Sequence, residues 1–278
     1  MATTFFTIDN KTNLHAGSGK SNYGVIDQLV QRDPTFQFPT IHGSSLKGGI
    51  KEFFHHQNFP DMAQVFGSKK DDNGKSLHDD SQVGEYKFFD AMLLTLPVRC
   101  DKRAFIHITC PAILQFLHES LPSAHALKVD LYKLLESLGN MPLSGYTFKN
   151  ELNDATIEDF DVKASFNEPL TQFFTDNLKE LFGYEVVILH DDLFSRLTND
   201  LHLPVIARNY LENGQSNNLW YEQVVPRLSR FWSMVIHPDH DSKFWEKLYG
   251  EDLIQIGANG SVGYGYCSFK KLKNAKQG

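Results

Sequence analysis

The sequence predicts an α+β fold with large insertions. Two observations carry the prediction: strand-like runs and amphipathic helices are mixed along the chain, and long irregular stretches separate them. A third is quantity: 278 residues, 41% of them hydrophobic and 13% aromatic, are ample for a core.

Residues 3–8 (Thr-Thr-Phe-Phe-Thr-Ile) read as the first strand, a polar glycine-containing loop covers 9–24, and 25–31 is strand-like again. Leu46, Ile50, Phe53 and Phe54 then fall at i, i+4, i+7 and i+8, one apolar face of a helix with Ser44 or Ser45 as N-cap. The run Gly43-Ser44-Ser45-Leu46-Lys47-Gly48 puts small residues and hydroxyls at the positive end of that helix, whose first turns carry Lys47 and Lys51. Such an end suits a phosphate, although an ordinary capped helix with solvated lysines has the same pattern. Residues 68–85 are charged, contain Gly and Ser, and have almost nothing to bury, which predicts a mobile loop insertion. Strands at 86–96 and 104–110 flank a turn. Pro111 starts a helix, and Ser123 caps another whose Leu127, Leu131, Leu134, Leu135 and Leu138 form a core stripe ending at Gly139.

From 141 to 180 the pattern is weak and loop-rich. A buried strand at 184–189 and a short helix capped by Asp191 follow. Runs at 204–211 and 219–225, joined through Asn213-Gly214, predict a long hairpin over 204–226. A strand at 230–237, a helix at 242–249 and an apolar strand at 253–256 lead to the loop Gly257-Ala258-Asn259-Gly260-Ser261-Val262-Gly263-Tyr264-Gly265.

Composition narrows the function classes. The three cysteines, Cys100, Cys110 and Cys267, are far apart and form no Cys-x-x-Cys pair, so neither a disulfide framework nor a zinc site is expected and a reducing cytoplasm fits. No apolar stretch approaches membrane-spanning length, and no membrane partner is expected. A net charge of −7 argues against coating nucleic acid by bulk electrostatics but permits a local basic groove. Two nucleotide motifs fail. Gly17-Ser18-Gly19-Lys20-Ser21 imitates the end of a P-loop, but Leu14 stands where its first glycine belongs; the C-terminal glycines have no βαβ unit downstream.

Three small-residue loops remain, at 16–24, 43–48 and 257–265. With them stand His15-Ala16-Gly17-Ser18-Gly19, Gly24-Val25-Ile26-Asp27, Gln31-Arg32-Asp33, Pro39 to Gly48, Phe89-Asp90-Ala91, Pro97-Val98-Arg99, Asp191-Asp192 and Leu219-Trp220-Tyr221-Glu222. In this ordered set the chain resembles the RAMP superfamily of CRISPR proteins, and within it the backbone-subunit type of type III-B effector complexes. The resemblance implies one domain over 1–278 with a ferredoxin-like (RRM-like) core and large insertions, among them a β-hairpin thumb at 204–226. It implies binding of CRISPR guide RNA and complementary target RNA, stacking with further copies of the chain in a helical filament, and association with the other subunits of the Cmr module.

The implied activity is cleavage of paired target RNA at six-nucleotide intervals by attack of a ribose 2′-OH, assisted by a divalent metal, Mg²⁺. Asp27 matches the key aspartate; as a weak base it binds metal or holds the 2′-OH. His15 and Glu222 match assisting positions, the one exchanging protons and the other placing metal or water. The bland readings are a turn cap for Asp27 and a solvated strand residue for Glu222. RNA contacts are implied for Gly17, Ser18, Gly19 and Lys20; for Gly43, Ser44, Ser45, Lys47, Gly48 and Lys51; for Trp220 and Tyr221, whose rings suit base stacking or the core; and for Gly257, Asn259, Ser261 and Gly263. Ala258 and Tyr264 depart from the family pattern, which usually has glycine and a basic residue there. Two other functions stay open: a structural RNA-binding subunit that does not cut, and a metal-independent guide-processing endoribonuclease using His15 as base.

Overall fold

The computed structural model describes residues 1–20, 24–68, 83–124, 131–139, 141–142, 144–183, 185–239, 242–250 and 252–272. Most of the expected 68–85 insertion therefore lies outside the described residues. In chain order the elements begin with β1 (Ala2–Asn10), β2 (Gly17–Lys20), β3 (Gln28–Val30), β4 (Thr40–Ile41), α1 (Gly43–His56), α2 (Met62–Phe66), β5 (Lys87–Phe88) and β6 (Ala91–Val98). An inserted block follows: β7 (Ile106–Thr109), α3 (Pro111–Ala124), α4 (Leu131–Leu138), β8 (Tyr146–Thr147), β9 (Thr156–Ile157), β10 (Phe160–Lys163), β11 (Ser165–Phe166), α5 (Glu168–Asn177), α6 (Lys179–Phe182), β12 (Val186–Ile188) and α7 (Asp191–Thr198). The hairpin β13 (Val205–Glu212) and β14 (Gln215–Gln223) leads to β15 (Arg230–His237), α8 (Ser242–Leu248), β16 (Ile254–Gln255) and β17 (Tyr266–Lys271).

The fold is mixed α+β around one large sheet. Its central strands run in the order β6-β15-β1-β17, each antiparallel to its neighbour. Taken as β1-α1-β6 and β15-α8-β17, two β-α-β halves interleave their strands, an arrangement consistent with the ferredoxin-like expectation. β1 is central, and from Phe5 to Asn10 every residue is buried. On one side α1 packs through Leu46, Ile50 and Phe54, all fully buried, and Phe244 of α8 stacks on Phe54 at 4.8 Å. Burying such a ring contributes about 1.5–3 kcal/mol, so the shared aromatic cluster fixes both helices to the sheet.

Several local expectations change. α1 begins at Gly43 with His42 as N-cap and no side-chain cap, so Ser44 and Ser45 lie inside its first turn. Asp191 accepts the Ala112 N–H at 2.9 Å and so caps α3, while the His190 side chain caps Asp191's own helix. Ser123 lies within α3 instead of starting a new helix. In the weakly patterned 141–180 segment, Asn167 accepts from Leu170 N–H and Pro169 sits in the first turn of α5, ordinary start signals in a segment without a clear stripe. β17, absent from the expected elements, follows the glycine loop and lies between β1 and β16 in the sheet.

β7 carries His107, buried to 4% exposure, whose Nε2–H donates to the Leu228 carbonyl at 3.1 Å. Leu228 holds a φ of 72°, a left-handed conformation at the turn from hairpin to β15, so His107 braces a strained link. Burial lowers the His107 pKa to about 4. The unfolded chain, with His near 6.5, binds the extra proton between these values, so stability falls as pH drops through that window. His107→Gln is expected to flatten the urea-midpoint change between pH 7 and 4.5, removing up to about 3 kcal/mol of pH dependence; an unaltered profile would place the effect elsewhere.

Candidate nucleic-acid groove and hairpin base

The three small-residue loops, distant in sequence, line one groove. Ala16, Gly17, Ser45, Gly48, Gly49, Glu52, Gln255, Gly257 and Ala258 surround a cavity of about 450 Å³. Gln31, 7% exposed, ties its walls: its side-chain amide donates to Gly17 O at 3.1 Å and Ser45 Oγ at 2.8 Å and accepts from His42 N–H at 2.8 Å. The terminal loop docks through Ala258 N–H to His15 O at 2.9 Å. Gly257, with φ of 82°, lies so close to the His15 carbonyl that a β-carbon would collide with it. Gly48 and Gly263 face open space, so another backbone can approach both.

The positive end of α1 is already engaged. Gly43 N–H donates to Asp90 Oδ1 at 2.7 Å, so a carboxylate from the β5–β6 turn satisfies the first helix dipole position. The lysines act from the side of the helix instead. Partial burial and the neighbouring charges of Lys51 and Lys87 together hold the Lys47 pKa below its ordinary value, marking three amines gathered at one edge. Ser44 and Ser261 are exposed. Ser18 Oγ donates to Leu29 O at 3.1 Å, Gly19 takes φ of 106°, and Lys20 pairs with Gln28 in the ladder.

Beside the groove, β13 and β14 form the expected hairpin, and β14 also pairs β3 in a four-stranded sheet. Its two-residue turn, Asn213-Gly214, has φ of 52° and 79°, the left-handed pair that Asn-Gly adopts readily. Alternation sends the two sequence-marked rings to opposite faces. Trp220, facing Arg208, donates its indole N–H to Glu222 Oε1 at 2.8 Å; Tyr221 is 38% exposed, beside Leu219-side surface at 54%. Arg208 lies over both Trp220 and Tyr264, at 6.0 and 5.6 Å from their ring centres.

Three consecutive residues of β14 organise the expected catalytic side chains. Tyr221 N–H donates to Asp27 Oδ2 at 2.8 Å, and Asp27 N–H returns a bond to Tyr221 O at 3.1 Å. Glu222, 3% exposed, accepts from Trp220 and from Asn259 Nδ2 at 2.8 Å, and pairs Arg208 at 3.5 Å. Gln223 O accepts His15 Nδ1–H at 2.7 Å, and His15 is 2% exposed beneath Gly17. The structure thus gathers all three at the hairpin base, but only Asp27 is exposed. Arg208 and Asn259 lock the hairpin to the terminal loop through Glu222 and Tyr264; Arg208 was legible only as a hairpin residue, and Asn259, expected as an RNA contact, instead donates to Glu222. Asp27 Oδ1 has no protein partner among the described residues, so Asp27 offers one carboxylate oxygen. Among the described residues, the group of three metal-type donors gathered within 4.8 Å is Glu52, His55 and His56, all exposed, and Asp27 is not part of it.

A second cavity, about 790 Å³, lies by Arg99, Phe105, Phe160, His202 and the hairpin roots Pro204 and Pro226, and contains none of the expected site residues. The Pyrococcus furiosus CRISPR system Cmr endoribonuclease Cmr4 is 26% identical over 92% of this chain and 90% of its own length. The Saccharolobus solfataricus CRISPR system CMR subunit Cmr4 is 28% identical over 83% of each. Among solved structures, a chain of the type III-B Cmr-beta complex bound to cognate target RNA superposes with a TM-score of 0.76 at 22% identity, covering 98% of both chains. Oligomeric Cmr4 from Pyrococcus furiosus gives 0.70 at 20% identity over 98% of this chain and 100% of that one. These likenesses share the fold, and the RAMP superfamily model matches residues 7–268: the chain belongs to the RAMP superfamily.

Proposed function

We propose that this chain is a backbone subunit of a type III-B CRISPR effector complex, binding guide RNA along the groove and cleaving paired target RNA at six-nucleotide intervals. The observation that carries the reading is the convergence of three small-residue loops on one groove beside a hairpin whose base exposes Asp27. The type III-B Cmr-beta structure is bound to cognate target RNA, the Pyrococcus furiosus Cmr4 structure is oligomeric, and the Saccharolobus solfataricus relative is a subunit of the CMR system; on this reading the chain takes the same kinds of partner, together with guide RNA. On this reading residues 1–278 form one ferredoxin-like RAMP domain, with 68–85 as a loop insertion and 204–226 as the thumb.

In the cleavage step the 2′-OH attacks the adjacent phosphorus, leaving a 2′,3′-cyclic phosphate and a free 5′-hydroxyl. Asp27 Oδ1 accepts from or orients the attacking hydroxyl, while its Oδ2 bond to Tyr221 fixes the carboxylate. Asp27 Oδ1 is the protein oxygen that would help hold Mg²⁺, and the ion would supply charge neutralisation at the phosphoryl group. His15 and Glu222 then position the site, because both are buried and hydrogen-bonded to the hairpin or terminal loop. Tyr221 is the ring placed to stack on a base, whereas Trp220 anchors the hairpin.

The test is reconstitution with guide, target and Mg²⁺. A product ladder with six-nucleotide spacing supports the reading; an intact bound target shifts it to a structural subunit. Specific cutting of repeat RNA by the lone chain in EDTA would favour guide processing, which buried His15 argues against. Lys47→Ala is expected to weaken RNA binding for every guide sequence. It should also flatten the salt dependence by up to ~0.7 log units per log of salt, one single-strand phosphate contact. An unchanged slope in filter binding removes Lys47 from the interface.

A further inference from the structure

The outer face of α1 continues past the groove. Ser45, Gly48 and Glu52 line the cavity, and the next turn brings His55 and His56, three and four residues beyond Glu52. We propose that Glu52, His55 and His56 form a site for a borderline divalent transition metal of the zinc class, separate from Asp27. Their donor atoms all lie within 4.8 Å of one another, and His56 Nε2 is already 3.0 Å from Glu52 Oε1. A tetrahedral zinc with bonds of about 2.0–2.2 Å needs donors about 3.3 Å apart, which exposed side chains on one helical turn reach by rotamer change alone.

Position and donor chemistry agree. His55 and His56 occupy the last turn of α1, the negative end of the helix dipole, which favours a cation. Two imidazoles and one carboxylate suit zinc, nickel or cobalt, whereas magnesium and calcium select all-oxygen sets. Three protein ligands leave a fourth position for water or an anionic oxygen. Glu52 borders the groove, so that position lies at its rim.

The assignment does not depend on the RNA reading and is tested without RNA. Zn²⁺ is titrated calorimetrically into the full chain, comparing wild type with Glu52→Gln and with His55→Ala/His56→Ala; circular dichroism checks that these exposed substitutions leave the fold intact. Wild type is expected to take up one Zn²⁺ that the double variant binds at least about tenfold more weakly, with Glu52→Gln between them. Equal stoichiometry and affinity in wild type and double variant, or no uptake by wild type, overturns the site.

Discussion

Asp27→Asn is expected to stop target cleavage in the reconstituted complex while leaving guide binding and assembly in place. Asparagine keeps an oxygen for the Tyr221 N–H, now 2.8 Å from the carboxylate, so the hairpin base retains its bond and loses only charge. If Asp27 orients the 2′-OH or holds a metal, the rate should fall by about 10²- to 10⁴-fold. Asp27→Ala removes the acceptor as well, but at an exposed position where water substitutes at a cost of about 0.5–1.5 kcal/mol. Both variants should therefore assemble, seen by gel shift, and both should lose the ladder on a denaturing gel. Full cutting by Asp27→Asn would sink the catalytic assignment; loss of assembly in both would make Asp27 a structural bracket.

What the sequence revealed depended on how local each signal was. The Leu46, Ile50 and Phe54 stripe and the Asn213-Gly214 turn announce α1 and the hairpin because their pattern lies within a few residues, and all are found. The caps were harder. Ser44 and Ser45 are good capping residues, yet the N-cap is His42, two residues before Ser44, and Asp90, far along the chain, reaches the Gly43 N–H. Asp191 is the first residue of its own helix, yet its side chain bonds to α3. Short polar side chains satisfy whichever backbone the tertiary fold brings near, and one-dimensional pattern does not encode that.

The same divide runs through the site. The small-residue loops were visible as loops, and their convergence was not, because they meet through contacts between residues distant in sequence: the Gln31 amide, the Ala258–His15 bond and the close approach of Gly257. His15, Asp27 and Glu222 were identified through family resemblance, and their different exposures follow from the hairpin. Asp27, one residue before β3, hydrogen-bonds, among the described residues, to the Tyr221 backbone of β14 and stays exposed. The Glu222 side chain, by contrast, is enclosed by Trp220, Asn259 and Arg208. A carboxylate held on both oxygens orders a hairpin; one held on a single oxygen is free to meet a ligand.

Arg230→Met is expected to cost the fold about 3–5 kcal/mol, the largest stability effect of any substitution named above, because it strands a buried charge. Asp9 in β1 is 1% exposed and receives Arg230 Nε at 2.5 Å; Lys270 approaches its other oxygen at 2.9 Å. Burial alone would raise the Asp9 pKa, but the hydrogen bonds and charges of Arg230 and Lys270 outweigh it and leave it below the ordinary value. That contribution is present above the unfolded carboxylate value of about 3.9 and is lost as pH falls through the lower folded one. Arg230 also donates to Leu181 O at 2.7 Å, joining the inserted helices to the sheet, and no β-carbon fits at Gly183 against its guanidinium. Replacing both partners by apolar residues, Asp9→Leu with Arg230→Met, should recover most of the loss, since no charge then remains buried without its mate. Chemical denaturation at pH 7 measures both. A single variant within about 1 kcal/mol of wild type would mean that Lys270 and Lys11 suffice for Asp9, and a double variant no better than the single would shift the effect to the lost Leu181 bond.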